Sequence, residues 1–194
     1  DALDAVEAAQ VANGRSDLRH HIAHVQVVHP QDVPRFGRLG VVANCQTYWA
    51  KADPQMEELT IPFLGRDRAD LQYPFESIRA AGARLCMGSD WAVTTADPLA
   101  QLEVAVTRAE RGGAAFLPEE RLDLGVAVDA FTAGSAYVNH DDDGGTLAVG
   151  RRADLTLLSV DLFADGYVSE GHAPLADASV ELTVASGRVV HDAG

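Results

Sequence analysis

The chain has 194 residues, 47% of them hydrophobic, and its 15 basic and 29 acidic side chains give a formal net charge of −14 at pH 7. This length and apolar content are enough for one sizeable core, or for one domain with a smaller accessory piece. The negative charge argues against nucleic acid and against an anionic membrane surface as partners, because both would repel the protein.

The setting of the two cysteines indicates whether the protein belongs to a reducing or an oxidising cellular compartment. Cys45 and Cys86 each lie inside an apolar run, a setting typical of buried free thiols rather than of a disulfide framework. The sequence also contains no run of 18 apolar residues and no basic segment leading into an apolar one. We therefore expect a protein of the reducing cytoplasm.

The first 46 residues alternate between two kinds of pattern. Residues 1–14 have the spacing of an amphipathic helix, and residues 30–40 predict a short helix that ends at a glycine. Between and after them, residues 18–28 and 41–46 are apolar and β-branched runs typical of strands buried on both faces of a parallel sheet. Because the chain begins inside a helix and without a methionine, we expect a piece of a longer protein.

The same alternation continues after a long interruption. Residues 47–73 predict an irregular stretch that is too long for a passive connection, and therefore a candidate functional loop. A helix over 74–82 and a strand over 83–88 follow, and Asp97 is placed to cap a further helix over 97–113. Helices alternating with buried strands indicate a parallel α/β architecture.

The character of the sequence changes near residue 144. One or two more helices are predicted before residue 140, whereas the last fifty residues contain two strand regions and a hairpin turn at Ser186-Gly187. We therefore predict two domains, 1–143 and 144–194. Three parallel strands cannot close a barrel, so the first domain is either a doubly wound fragment or the last three strands of an eight-stranded barrel.

Two side chains stand where parallel strands end. His24 lies near the end of the first predicted strand, and Asp90 lies just past the end of the third. Both then belong to the edge of the sheet at which α/β proteins bind ligands. An imidazole and a carboxylate there could bind a divalent metal, with the carboxylate also accepting a proton, or they could form a structural pair.

Other candidates have a structural interpretation beside the functional one. Tyr48, Trp49 and Trp91 could line an apolar substrate pocket, but aromatic side chains also pack loops against a core. Arg108 and Arg111 fit the negative end of a helix dipole. Remaining polar residues are expected to be solvated, namely the aspartates 141–143 and His140, His172 and His191.

Four segments resemble the amidohydrolase superfamily, in particular its D-aminoacylase-like and formamide-deformylase-like group. They are LRHHIAHVQVVHPQDVPRFGRLGVVANCQ, IRAAGARLCMGSDWAV, DPLAQLEVAVTR and GGTLAVGRRADLTLLSVD. The resemblance implies strands six to eight of a (β/α)8 barrel followed by part of a small β-sandwich. It also implies a metal-dependent hydrolase that cleaves an amide or related C–N bond of a small molecule with metal-activated water.

The resemblance assigns roles residue by residue. His24 matches the family's strand-six histidine and Asp90 its strand-eight aspartate, which implies that both bind a divalent metal, with zinc favoured, and that Asp90 is the general base. Gln46 matches a glutamine at the end of strand seven and is expected, with Tyr48, Trp49 and Trp91, to contact substrate.

Several features of the family have no counterpart in these 194 residues. They are its His-x-His pair, its bridging lysine or glutamate and its strand-five histidine; Lys51, the one lysine, lies in the loop after the second strand. Ala23 stands where a glutamate often precedes the strand-six histidine, and Thr47 replaces a proline. Because a catalytic zinc takes three protein ligands and two are offered, we expect the isolated chain to be metal-poor and inactive.

Two further alternatives remain open from the sequence. The chain could be a non-catalytic interaction or regulatory domain that keeps the amidohydrolase scaffold. It could also obtain its missing half from another chain or form a homo-oligomer, because the outer strands of half a barrel leave open edges that can pair.

Overall fold

A computed structural model describes residues 1–168 and 173–194, so that His172 lies outside the described residues. The described chain is an α/β structure with two separate three-stranded sheets. The first sheet is parallel and contains the strands β1 (His21–Ala23), β2 (Val42–Cys45) and β3 (Leu85–Met87) in chain order. This parallel arrangement confirms the alternation predicted from the sequence.

The central strand β2 holds the parallel sheet together. Ala43 of β2 lies opposite Ile22 of β1 and Leu85 of β3, and Ala43 and Cys45 have no exposed surface. Helices cover the sheet, and the apolar side chains that they bury against it include Phe36, Phe75 and Ile78. Burial on both faces explains the unbroken apolar runs at β2 and β3.

The first strand is much shorter than predicted. Instead of continuing to residue 28, β1 ends at Ala23, because His24 and Val25 both have positive φ, at 67° and 45°. The chain then leaves the sheet, and residues 26–28 pair with residues 71–73 through the bridge between Val27 and Gln72. The apolar pattern was right about a strand here and about burial at Val25 and Val28, and wrong about the strand's length and its burial on both faces, since His21 and Ala23 are exposed.

Residues 47–73 are not irregular, which corrects the expectation of an unstructured loop. They contain a 3-10 turn at Thr47–Trp49, a π-helical turn at Gln55–Thr60, and the short helices α3 (Ile61–Leu64) and α4 (Arg66–Ala69). Asp53 accepts a hydrogen bond from the main-chain N–H of Met56 at 2.7 Å, and the Met56 side chain is buried. Residues 47–73 thus form an ordered segment, and the buried Met56 side chain packs it against the core.

Three of the predicted early helices are confirmed. These are α1 (Ala2–Asn13), α2 (Val33–Leu39) and α5 (Phe75–Ala80). Gly40 ends α2 with φ 67°, and its N–H bonds to the carbonyls of Gly37 and Phe36. Gly37 allows close packing, since a Cβ there would lie 2.6 Å from the carbonyl oxygen of Ala81.

The next helix, α6 (Pro98–Thr107), is capped as predicted, because Asp97 accepts a hydrogen bond from the N–H of Leu99. It ends six residues earlier than residue 113, where Arg108 takes the left-handed conformation with φ 58°. Arg108 thus lies at the carboxyl end of α6, as predicted, and it is 0% exposed. Its guanidinium donates to the carbonyls of Phe116 and Tyr73 at 3.0 and 2.9 Å.

The following helical region consists of α7 (Leu124–Asp129), a π-helical turn at Ala130–Gly134, and α8 (Ser135–Val138). A 3-10 turn at Pro118–Glu120 precedes it. The Ser135 hydroxyl donates to the carbonyl of Met87 at 2.8 Å, and Gly134 lies directly against the main chain of β3. This helical region therefore covers β3.

The second sheet is antiparallel, with the order β4 (Leu155–Leu158), β5 (Val180–Ala185) and β6 (Arg188–Asp192). A 3-10 turn at Leu175–Asp177 precedes β5. The hairpin between β5 and β6 turns at Ser186 and Gly187, which have φ 50° and 75°. Two consecutive positive φ values are typical of a type I′ turn, and the predicted hairpin is confirmed.

The acidic segment before this sheet is ion-paired rather than merely solvated. Asp141 accepts a hydrogen bond from Arg152 at 2.8 Å, and Asp142 pairs with Arg19 at 2.7 Å. Arg152 also pairs with Asp154 at the start of β4. The prediction of a solvated turn is confirmed at residues 142 and 143, which form an exposed turn, whereas Asp141 is half-buried in its pair with Arg152; His140 and His191 are exposed as expected.

Candidate active site

The three parallel strands place three polar segments at one edge of the sheet. His24 directly follows β1, Gln46 directly follows β2, and Gly88, Ser89 and Asp90 follow β3. Strands that run parallel bring their carboxyl ends to the same edge, so the topology brings these segments together. The pairing of Gly88 N–H with the carbonyl of Cys45 at 3.2 Å extends the contact of β2 and β3 up to this edge.

Gln46 is the polar centre of this edge. It is 5% exposed, and its Oε1 accepts a hydrogen bond of 2.6 Å from the main-chain N–H of His24. Its Nε2 donates to Oδ1 of Asn44 at 2.8 Å. Gly88 lies alongside, where a Cβ would be 3.5 Å from Gln46 Nε2. Gln46 therefore holds the backbone turn that ends β1 and presents the His24 side chain, which is exposed.

Asp90 occupies the corresponding turn after β3. Its φ is 59°, and its carbonyl accepts hydrogen bonds from the N–H groups of Val93 and Thr94. The indole N–H of Trp49 donates to Asp90 Oδ2 at 3.3 Å, which connects this carboxylate to the segment that follows β2. Asp90 is thus both a turn residue and a half-buried acid at the strand edge.

A pocket of about 250 Å³ opens beside His24, beneath the π-helical turn at Gln55–Thr60. Its apolar walls are Trp49, Met56 and Tyr73. The other lining residues are polar: His24, Gln26, Asp53, Gln55 and Thr60. The pocket and the strand edge share His24 and Trp49, so they form one continuous candidate site.

The wall of the pocket is fixed from behind by Arg108. Tyr73 is 4% exposed, and burial raises the pKa of its hydroxyl to about 12. Arg108 donates to the Tyr73 carbonyl, and its guanidinium carbon lies 6.0 Å from the centre of the Tyr73 ring. Desolvation lowers the pKa of Arg108 to about 10, so the group remains charged at neutral pH.

The other aromatic candidates lie differently. Trp91 is 71% exposed beside Asp90, whereas the Tyr48 ring packs against the ammonium of Lys51 at 3.9 Å and is not among the residues that line the pocket. Lys51 pairs with Glu110 at 2.5 Å.

Cys45 and Cys86 are buried free thiols, as predicted, and burial raises the pKa of Cys45 well above its ordinary value and that of Cys86 to about 12.

Two of the described side chains at this edge suit a metal centre. An imidazole and a carboxylate are donors that zinc accepts, and His24 and Asp90 provide one of each at the same edge. A catalytic zinc takes three protein ligands, and within 1–168 and 173–194 no group of three His, Cys, Asp or Glu side chains is placed to hold a metal ion. These residues alone therefore do not complete a metal centre.

Sequence reasoning missed the residues that shape the pocket. Asp53, Met56 and Tyr73 belong to the segment that was predicted only as a candidate functional loop. The Asp-Pro pair at 53 and 54 is a helix-start signal that could have indicated the turn at Gln55–Thr60.

Within the described residues no helix is long and apolar enough to cross a membrane.

Comparison with known proteins defines the class. The fold is similar to a metal-dependent hydrolase of Pyrococcus furiosus, at a TM-score of 0.61 and 25% identity over 78% of this chain and 30% of that one. It is also similar to a mutant of the atrazine chlorohydrolase TrzN from Arthrobacter aurescens TC1 complexed with zinc and atraton, at a TM-score of 0.65 and 22% identity over 94% of this chain and 38% of that one. The chain therefore has an α/β fold shared with metal-dependent hydrolases.

The family follows from the sequence comparison. The model of the amidohydrolase family matches residues 1–191, and the chain belongs to that family. It is 28% identical to the putative amidohydrolase YtcJ of Bacillus subtilis over 98% of this chain, and 35% identical to Protein LONG AFTER FAR-RED 3 of Arabidopsis thaliana over 81% of it. The matched regions span 35% and 27% of those two proteins.

Proposed function

We propose that this chain forms part of a metal-dependent hydrolase that cleaves an amide or related C–N bond of a small molecule. The observation that carries the proposal is the strand edge at which Gln46 binds the backbone of His24 and Trp49 binds the carboxylate of Asp90. Membership of the amidohydrolase family supports the same chemistry.

The proposed roles follow from position. His24 and Asp90 contribute two ligands to a divalent metal, with zinc favoured, and the remaining ligands come from residues outside this chain. A zinc ion, when bound, makes water a nucleophile at neutral pH. Gln46, Tyr48, Trp49 and Trp91 are proposed to contact the substrate, of which Trp49 lines the pocket.

Asp90 is proposed as the general base. Among the described residues, the hydrogen bond to its carboxylate reaches Oδ2, from the Trp49 indole, which leaves Oδ1 to take a proton from water. Gln46 is a positioning residue in this scheme. It acts on the backbone of His24 and so on the direction of the imidazole.

The proposal extends to architecture. We infer that β1, β2 and β3 are strands six to eight of a (β/α)8 barrel, within a domain of residues 1–143. Residues 144–194 would then be a segment of a β-sandwich that contains β4, β5 and β6. Support comes from the share of the relatives that is matched, about a third of YtcJ and 38% of TrzN. On this proposal the isolated chain is an inactive fragment.

The test compares the complete gene product with the 194-residue chain. Zinc content is measured by elemental analysis, and hydrolysis of a panel of N-acyl amino acids and N-alkylformamides is followed by amine release. We expect zinc and activity in the complete protein and neither in the chain. Asp90→Asn should lower kcat by about 10²-fold or more, whereas Asp67→Asn, on the exposed surface of α4, should leave it unchanged.

The opposite outcome has a defined meaning. A complete gene product that binds no zinc and releases no amine from the panel would favour a non-catalytic interaction or regulatory domain built on the same scaffold. Near-stoichiometric zinc in the isolated chain, lost in both His24→Ala and Asp90→Asn, would contradict the inference that the missing ligands lie elsewhere.

A further inference from the structure

The pocket beside His24 has the size and walls of a binding site for a short substituent. Its volume of about 250 Å³ exceeds that of a few linked methylene groups, and it is bounded by the two aromatic rings of Trp49 and Tyr73 and by the buried Met56. Gln26, Gln55 and Thr60 add neutral polar groups to the lining. An occupant therefore meets aromatic and neutral polar residues together.

The formal charge among the residues that line the pocket is negative, apart from any charge on His24. Apart from His24, Asp53 is the one formally charged residue among the described residues that line the pocket. Its carboxylate accepts the N–H of Met56 at 2.7 Å through Oδ1, and among the described residues no donor reaches Oδ2. The carboxylate also acts on the hydroxyl of Tyr73, since it adds to the rise in the pKa of Tyr73 that burial causes.

The basic side chains near this segment are occupied elsewhere. The Lys51 ammonium pairs with Glu110 at 2.5 Å and packs on Tyr48. The Arg108 guanidinium lies behind Tyr73 and donates to main-chain carbonyls of Tyr73 and Phe116. Asp53 lines the pocket and forms no ion pair with a described Lys or Arg, so no described basic side chain offsets its negative charge there.

We propose that this pocket binds a protonated alkylamine group of the substrate, with Asp53 as its counter-ion and the aromatic residues Trp49 and Tyr73 beside it. A cation close to an aromatic face is attracted to the ring, and a carboxylate adds a charged hydrogen bond. An anionic group would instead meet Asp53 with no cation to offset it. Naming the occupant as substrate rests on the proposed function, whereas the binding preference does not.

The experiment measures binding to the 194-residue chain, without any catalytic readout. Three probes of similar size, n-butylammonium, 1-butanol and butyrate, are titrated at neutral pH while the indole N–H resonance of Trp49 is followed by NMR. We expect n-butylammonium to bind about 5-fold or more tightly than 1-butanol, because only the ammonium forms a charged hydrogen bond with the Asp53 carboxylate. Butyrate should bind most weakly.

Variants locate the preference. Asp53→Asn retains an oxygen to accept the Met56 N–H, so the turn at Gln55–Thr60 is preserved while the charge is removed. This variant should lose most of the preference for n-butylammonium over 1-butanol, because only the aromatic contacts remain, whereas Asp67→Asn should keep the full preference. Equal binding of the two probes to the unsubstituted chain overturns the proposal, whether or not the variants fold, and so does a preference of unchanged size in folded Asp53→Asn.

The two proposals fail separately. A complete gene product that shows no hydrolysis, combined with an intact ammonium preference in the chain, removes the proposed function and leaves an amine-binding pocket. Hydrolysis without the ammonium preference leaves the enzyme and removes the pocket's assigned ligand class.

Discussion

The Oε1 atom of Gln46 accepts a hydrogen bond of 2.6 Å from the main-chain N–H of His24, across the end of two neighbouring parallel strands. His24 has a φ of 67°, a conformation that is uncommon for a side chain with a Cβ. The buried amide of Gln46 therefore stabilises the point at which β1 stops and the chain turns away.

Removal of this amide should be costly. Gln46→Ala leaves the His24 N–H without its acceptor and empties a buried site, and we expect a loss of about 1–3 kcal/mol in the free energy of unfolding. Urea denaturation followed by circular dichroism measures it. Gln31→Ala replaces an exposed glutamine and should change stability by no more than about 0.5 kcal/mol. Equal losses in the two variants would show that Gln46 does not hold this turn.

Replacement of Gly134 by alanine and replacement of Gly125 by alanine should change the stability of the protein in opposite directions. A Cβ at Gly134 would overlap the main-chain carbonyl of Leu85 in β3 and lie 3.3 Å from the Cα of Cys86, whereas a Cβ at Gly125 in α7 meets nothing within 4 Å. Gly134→Ala should therefore destabilise by roughly 1–3 kcal/mol. Gly125→Ala should stabilise by up to about 1 kcal/mol, because alanine loses less backbone entropy in a helix. Paired thermal melts of the two variants check both signs.

The pairing of Asp141 with Arg152 predicts a pH dependence. Arg152 holds the pKa of the Asp141 carboxyl below its ordinary value of 3.8, which the unfolded chain retains. The stabilisation is therefore fully present above pH 3.8 and is lost as the pH falls through the lower pKa of the folded state.

Urea midpoints measured between about pH 5 and pH 2 test this dependence. Asp141→Asn should show a shallower decline than the unsubstituted chain. Asp143→Asn is the matched control, because Asp143 is exposed and bonds to Arg152 through its main-chain carbonyl. A decline that is identical in all three proteins would assign the acid sensitivity to other carboxylates.

The two thiols should be unreactive in the folded protein. Burial raises the pKa of Cys86 to about 12 and that of Cys45 well above its ordinary value, so almost no thiolate is present at pH 8. We expect a disulfide reagent such as DTNB to react roughly 100-fold more slowly than with a free cysteine, and both thiols to react at once in urea. Rapid release of one equivalent from native protein would mean that a thiol is accessible.

Local signals in the sequence were sufficient to predict many of the helices and the hairpin of the fold. Capping residues and terminal glycines predicted α1, α2, α5 and the start of α6, and the Ser186-Gly187 pair predicted the hairpin, because each depends on backbone preferences of a few adjacent residues. The alternation of helix and buried strand was sufficient to predict a parallel sheet. It also predicted that His24 and Asp90 follow strands that end at one edge.

The remainder depended on contacts between distant segments. After β1 ends at Ala23, residues 26–28 pair with residues 71–73, and no local pattern announces that pairing. Arg108 is buried because carbonyls from Tyr73 and Phe116 converge on it, although its neighbours in sequence resemble an ordinary helix end.

The sequence by itself therefore determined an α/β protein of the amidohydrolase family with an acid and an imidazole at strand ends. Only the tertiary structure decided that Gln46 and Trp49 hold the His24 backbone and the Asp90 carboxylate, and that Asp53 and Tyr73 form a pocket beside them. The physical reason is that hydrogen bonds and burial between segments dozens of residues apart are set by packing of the whole chain, which short-range propensity does not encode.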